Sequence, residues 1–246
     1  MTAMTKWKYK LHALVALFLI AALAALNIVS AAEPPVVVEQ TRKAETLKQL
    51  GLFKGTERGF ELELTFTRAQ GAVMLLRLMG LEQTSLALAN AASPFADVPA
   101  SHWSNKQVTY AYQQGFIRGT SPETFAPDAE MTGPQFLSLV LRALGYKEAE
   151  PNNAISLATS IGMLTDGALL NALQGETFHR GFMVEIAYVS LSTSLKGSGK
   201  TLLQKLVEDD KTVSSAAAAK TGLYKASKPS DDPMDIIEEA IQNTLD

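Results

Sequence analysis

The chain has 246 residues, 47% hydrophobic and 19% charged, with 22 basic and 25 acidic side chains and a formal net charge of −3. That composition excludes a disordered chain, a coiled-coil rod and a collagen-like fibre, and the charge balance excludes a polycation built for nucleic acid. There is no cysteine, which excludes disulfides, thiolate catalysis, zinc ribbons, iron–sulfur clusters and a lipid-modified N-terminal cysteine.

Residues 1–31 read as a segment apart. Lys6, Lys8 and Lys10 make a basic start, and Leu11 to Ile28 is apolar apart from His12 and Asn27. Val29-Ser30-Ala31-Ala32 then supplies the small residues that a signal peptidase accepts. The pattern is that of a secretory signal peptide. The alternative is an uncleaved anchor, since about 18 apolar residues just span a bilayer. Cleavage removes three lysines and no acid, leaving an exported, more acidic protein with no membrane segment. An exported chain without cysteine fits a Gram-positive exterior.

From about residue 40 the sequence repeats itself. Unit one (40–80) carries Leu50-Gly51-Leu52-Phe53-Lys54-Gly55 and then Phe66-Thr67-Arg68-Ala69-Gln70. Unit two (95–145) carries Gln114-Gly115-Phe116-Ile117-Arg118-Gly119 and then Met131-Thr132-Gly133-Pro134-Gln135. Unit three, with a helical extension, fills 154–224; it carries Ile161-Gly162-Met163-Leu164-Thr165-Asp166 and then Phe178-His179-Arg180-Gly181-Phe182. Thr67 to Gly80, Thr132 to Gly145 and His179 to Ser192 are each 13 positions.

Each unit reads as helix, loop, helix. Phe136, Leu139, Val140, Ala143 and Leu144 follow the i, i+3, i+4, i+7, i+8 spacing of an amphipathic stripe, as do Met183, Ile186, Ala187, Ser190 and Leu191. In unit two a first helix is predicted from about His102, with Ser101 as its N-cap and Gly115 just past its end. Thr67-x-x-Gln70 and Thr132-x-x-Gln135 match a capping box, and Met131 with Phe136 a hydrophobic staple. The expected fold is mainly α, three helix-loop-helix repeats packed as a pseudo-trimeric, three-lobed helical body. At Arg68, the first helical position, free backbone amides, helix dipole and guanidinium together predict a carboxylate or phosphate site. Unit three keeps Arg180 without the box; unit two has Gly133 instead of the arginine.

Lys196-Gly197-Ser198-Gly199-Lys200 reads as a flexible joint, followed by helical segments near 202–208 and 213–220. Residues 225–246 read as a linker and an acidic helix, with Asp232 as cap and Pro233 at its first turn. Ile236, Ile237 and Ile241 on that helix either fold back on the body or dock another surface protein.

Phe95-Ala96-Asp97-Val98, then His102-Trp103, Gly115-Phe116-Ile117-Arg118-Gly119, Thr124-Phe125-Ala126-Pro127 and Met131-Thr132 resemble an S-layer homology repeat. Thr67-Arg68-Ala69-Gln70 resembles the Thr-Arg-Ala-Glu signature of that family. The resemblance covers roughly residues 40–210. It implies a non-catalytic anchoring module of Gram-positive and related envelopes. Grooves between its lobes bind secondary cell-wall polysaccharide, often bearing a pyruvyl ketal. The groove positions it implies are Thr67 and Arg68 in unit one, Asp97, Trp103 and Gly119 in unit two, and Arg180 in unit three. Unit one reads Val36-Val37-Val38-Glu39-Gln40 where the first motif would fall, and unit three reads Pro151-Asn152-Asn153-Ala154. No unit holds the full set, so the expectation is one composite groove, with Arg68 and Asp97 or Trp103 from neighbouring units, or none.

Each of these residues also has a structural reading. Trp103 either stacks on a sugar face or fills core between two helices. Asp97 either bonds sugar hydroxyls or caps the turn at Val98-Pro99. Arg68 either clamps a carboxylate or pairs with Glu61 or Glu63, and Arg180 has the same choice. His102 and His179 lie in different units, so no metal site is expected, and no cofactor motif is present. Catalytic motifs for hydrolases, zinc proteases and phosphate-binding loops are absent from the sequence. The chain therefore reads as a secreted cell-wall protein that binds anionic polysaccharide, or alternatively as a degenerate scaffold that binds protein at the cell surface.

Overall fold

Helices shorter than about 12–15 residues are marginal alone in water. In the computed structural model, which describes residues 35–89, 92–175 and 177–226, only the first helix reaches that length. The signal-peptide segment and the C-terminal helix expected from Asp232 lie outside the described residues. The helices are α1 (Pro35–Gln49), α2 (Arg68–Leu78), α3 (Glu82–Leu86), α4 (Asn105–Gln113), α5 (Gly133–Ala143), α6 (Ala154–Ser160), α7 (Gly167–Leu173), α8 (Arg180–Ser190), α9 (Leu202–Gln204, continuing as a π turn Lys205–Asp209) and α10 (Ser215–Lys220). The fold is mainly α, and among the described residues β pairing is confined to isolated bridges. No helix there is long and apolar enough to cross a membrane.

Stability comes from shared packing. The repeat-equivalent helices α2, α5 and α8 are 11 residues each. α5 packs against α2, α6, α7 and α8. Its stripe is buried as the periodicity predicts, with Phe136 and Val140 fully enclosed, and so is that of α8 at Met183, Ile186, Ala187 and Leu191. The starts of the three helices meet at an aromatic cluster. Phe66 lies 5.9 Å from Phe136 and 5.4 Å from Phe178, and Phe136 lies 6.1 Å from Phe178. Tilted and edge-on rings at this separation add to their burial. The described residues from Glu39 to Ala226 form one compact unit.

Both predicted capping boxes form, Thr67 with Gln70 and Thr132 with Gln135. A further box, Thr201 with Gln204, starts α9. His179 stands at the equivalent cap position of α8 without a side-chain cap bond, and its Nδ1 is buried with no partner.

Two local expectations are corrected. The first helix of unit two does not start at His102 under a Ser101 cap. Residues 99–105 instead form consecutive turns, with the His102 amide donating to the Pro99 carbonyl and that of Asn105 to the His102 carbonyl. The helix begins at Asn105, whose side chain donates to the Val98 carbonyl. The Lys196–Lys200 segment is an ordered turn rather than a loose joint. The Leu195 amide donates to the Lys200 carbonyl, Ser194 bridges Thr201, and Lys196 and Lys200 pair with Glu148 and Asp209.

Candidate functional site

A helix start leaves orphan backbone amides that something must satisfy. In α2 the Arg68 amide donates to the Ala129 carbonyl (2.9 Å), that of Ala69 to Pro127 (3.0 Å), and that of Gln70 to the Thr67 hydroxyl (3.3 Å). In α8 the Arg180 and Gly181 amides donate to Leu64 (2.8 Å) and Leu62 (2.7 Å). Leu62 and Leu64 stand in unit one where Pro127 and Ala129 stand in unit two, so the starts of α2 and α8 are each plugged by the neighbouring unit's loop. The expected anion site built on free amides at Arg68 is therefore overturned: those amides are consumed by loop carbonyls, and Thr67 acts as a cap.

The arginine side chains follow the same rule. Arg68 is 7% exposed. Its Nε donates to the Phe125 carbonyl (2.8 Å), its Nη2 to the Arg118 carbonyl (3.2 Å), and its guanidinium lies 4.8 Å from the Phe125 ring centre. Burial lowers its pKa, and the nearby Asp97 carboxylate opposes that shift. It thus pairs with unit two, not with Glu61 or Glu63. Arg180 makes the equivalent bond to Phe60 (3.0 Å) and lies 5.6 Å from the Phe53 ring centre. Phe60 and Phe125 each precede their capping threonine by seven positions. Burial likewise lowers the Arg180 pKa, against the pull of Glu61.

Asp97 does not cap the Val98-Pro99 turn. Its two oxygens accept from the amides of Phe125 (2.9 Å) and Ala126 (2.7 Å), pinning the loop whose carbonyl holds Arg68. Ala126 needs the pin, because it sits at φ +58 in the left-handed region. Gly119 lies on the same loop system; a Cβ there would come within 2.2 Å of the Ser121 carbonyl and 2.5 Å of that of Thr124. Trp103 is 58% exposed, which overturns the core reading. The tight turn at 99–105 throws the indole outward, tilted against His102 at 5.8 Å.

These residues line two grooves built alike. Groove A, between units one and two, encloses about 190 Å³ and is lined by Arg68, Arg118, Gly119, Gln135, Arg142 and Glu150 among others. Groove B, between units three and one, encloses about 260 Å³ and is lined by Arg180, Lys54, Gln70, Arg77, Met183 and Trp103 among others. By repeat position Arg68 matches Arg180, Arg118 matches Lys54, Gln135 matches Gln70 and Arg142 matches Arg77. Each groove thus collects three cations. Arg142 is 3% exposed, donates to the carbonyls of Phe116 (2.8 Å) and Ala149 (2.7 Å), and is lowered to about 10 by burial and by repulsion from Arg118 and Arg68. Arg77 is held by Glu82 at 3.0 and 2.5 Å.

A third groove, along α8 and the end of α6, is lined by Ile161, Met163, Tyr188, Val189 and Ser192 with neutral neighbours. Val189 stands where units one and two have Arg77 and Arg142, so the cation cluster is lost there. At the start of α5, a Cβ on Gly133 would come 2.9–3.1 Å from Leu173, so that start has closed where the others admit an arginine.

The structure brings Arg68, Gly119 and the Asp97-pinned loop together in groove A, and Arg180 with Trp103 in groove B. Arg68 and Trp103 do not line a common groove. Sequence reasoning missed Arg77, Arg142, Lys54, Arg118, Glu82 and Glu150. The signal was available for two of them, since Arg77 and Arg142 each follow a capping threonine by ten positions. Among the described residues no group of three His, Asp or Glu side chains is placed to hold a metal ion.

The family description that matches this chain is S-layer homology domain, at residues 94–137. The chain is similar to a cell surface protein of Thermoanaerobacter kivui, 33% identical over 106 residues, or 43% of this chain and 14% of that protein. A middle cell wall protein of Brevibacillus brevis is 29% identical over 147 residues, 58% of this chain and 14% of its own length. A cellulosome-anchoring protein of Acetivibrio thermocellus is 32% identical over 85 residues, 35% of this chain and 19% of its own length. The chain thus spans under one fifth of the length of these relatives. Residues 94–137, the segment that matches the S-layer homology domain, carry Asp97, Trp103, Gly119 and the loop that receives Arg68.

Proposed function

We propose that this is a non-catalytic, exported, cell-wall-associated surface protein that holds an anionic secondary cell-wall polysaccharide in grooves A and B. The observation that carries the reading is the pair of repeat-equivalent grooves, each with three clustered cations in a chain that is acidic overall. A carboxylate on a sugar, such as a pyruvyl ketal, would meet those cations. In groove B the exposed Trp103 offers a flat apolar face to the ring beside it. Gly119 lets the loop that walls groove A pack closely on Ser121 and Thr124.

The test is retention of the mature chain on purified cell-wall sacculi, before and after removal of the secondary polymer. Retention should be lost with the polymer and should weaken as salt rises from 0.05 to 0.5 M (about a threefold shorter screening length). No retention on intact sacculi would favour a scaffold that binds protein instead.

A further inference from the structure

We propose that Glu150 is a built-in, easily displaced competitor for the anion that groove A takes, whereas Glu82 ties the cations of groove B more firmly; this rests on the reading of the grooves as anion sites.

In each groove one carboxylate of the protein itself pairs with the same repeat-equivalent cations: Glu150 lines groove A, and Glu82 contacts Arg77 and Lys54 from beside groove B. In groove B, Glu82 opens α3 with its side chain 16% exposed. Both its oxygens engage Arg77 in a fork, and Lys54 adds a third contact at 3.0 Å. Planar bidentate pairing of this kind is strong and geometrically exacting. An incoming anion would have to break all three bonds to enter.

In groove A the arrangement is looser. Glu150 sits on the loop before α6, and its side chain is 36% exposed. One oxygen bonds Arg118, itself an exposed side chain. The other stands 3.8 Å from Arg142 Nη1, beyond hydrogen-bond reach. Arg142 and Arg68 do not rely on Glu150 for their position. Both are held by backbone carbonyls, Arg142 by Phe116 and Ala149, and Arg68 by Phe125 and Arg118. If Glu150 swings away, two buried guanidinium groups stay in place beside a third, with their mutual repulsion less compensated. An oxyanion from outside can then take the position. An exposed ion pair contributes little to stability, so displacing Glu150 costs little. Groove A is therefore the groove that admits an anion more readily than groove B, and Glu150 sets its affinity by holding the place until one arrives.

The experiment is a titration of inorganic phosphate into the mature chain, read by the NMR Nε–Hε signals of Arg68, Arg142 and Arg77. In the wild type, Arg68 and Arg142 should shift and Arg77 should not. Glu150→Gln and Glu150→Ala should each tighten phosphate binding about two- to fivefold, the worth of an exposed ion pair. Glu82→Gln should leave the groove A constant unchanged. Thermal melts of all variants show that the fold persists. Unchanged or weaker phosphate binding in both Glu150 variants, a wild-type shift confined to Arg77, or no shift in any protein would each overturn the proposal. Sacculus retention separates it from the function above. Phosphate tightening without sacculus binding removes the wall polymer alone, and sacculus binding without tightening removes the role of Glu150 alone.

Discussion

At the scale of single residues, the arginines here act first as cross-links. Arg68 joins unit one to two carbonyls of unit two and covers the Phe125 ring, so truncation leaves two buried carbonyls unsatisfied. Arg68→Ala should destabilise the protein by about 2–4 kcal/mol. At roughly 2–4 °C per kcal/mol for a domain of this size, that is a clear fall in Tm by circular dichroism. Loss of wall binding by this variant would then report unfolding as much as lost charge. A Tm equal to wild type would show that water replaces the arginine at those carbonyls. The role of Asp97 is equally structural in origin, because both its oxygens are spent on amides. Only Trp103 among the expected site residues presents most of its surface to solvent.

At the scale of the element, three helices of equal length share a start but not its quality. α2 and α5 have complete capping boxes, whereas α8 begins at His179, whose ring caps nothing and buries an unpartnered nitrogen. His179→Thr should stabilise the protein by about 0.5–1 kcal/mol, chiefly by removing the orphan nitrogen, with the new hydroxyl sharing the Phe182 amide that now donates to the His179 carbonyl. Urea unfolding measures this directly; a lower midpoint would mean that contact of the His179 ring with Phe182, 6.5 Å away, outweighs the cap. The capping boxes and the 13-position spacing were legible because they depend on neighbours within one turn. The first helix of unit two was not. Its Ser101 signal competes with Pro99 and with hydrogen bonds from Asn105 to Val98, and the longer-range bonds prevail.

At the scale of the whole molecule, stability is tied to ion pairs that titrate. The Arg77 fork holds the Glu82 carboxyl down to about 2, against an ordinary 4.5, and Lys54 adds to it. A carboxyl lowered on folding stabilises the protein above its unfolded pKa, and that contribution is lost as pH falls from about 4.5 to 2. Allowing for solvent screening, it is about 1–2 kcal/mol. Glu82→Gln should therefore be less stable than wild type at pH 7, and the gap should shrink as pH falls below about 4.5 and be nearly gone below about pH 2. A gap in Tm that stays constant over this range would mean that Glu82 acts through packing and not through charge.

The sequence by itself determined that the chain is helical, that Thr67, Thr132 and His179 are each followed by the same 13-position spacing, and which residues form the buried stripes of α5 and α8. Those features follow from local propensity and periodicity, which a single segment carries whole. It also marked the region that resembles the S-layer homology repeat, including Asp97, Trp103, Gly119 and Arg68. Only the tertiary structure decided what those residues do. The amides at Arg68 looked free because their partners, Pro127 and Ala129, lie some sixty positions away on another unit. The grooves were hidden for the same reason, since Arg118 meets Arg68, and Lys54 meets Arg180, only when units pack side by side. A helix end must satisfy its amides and a buried guanidinium its protons, and which group answers that demand is fixed by packing between units, not by sequence neighbours.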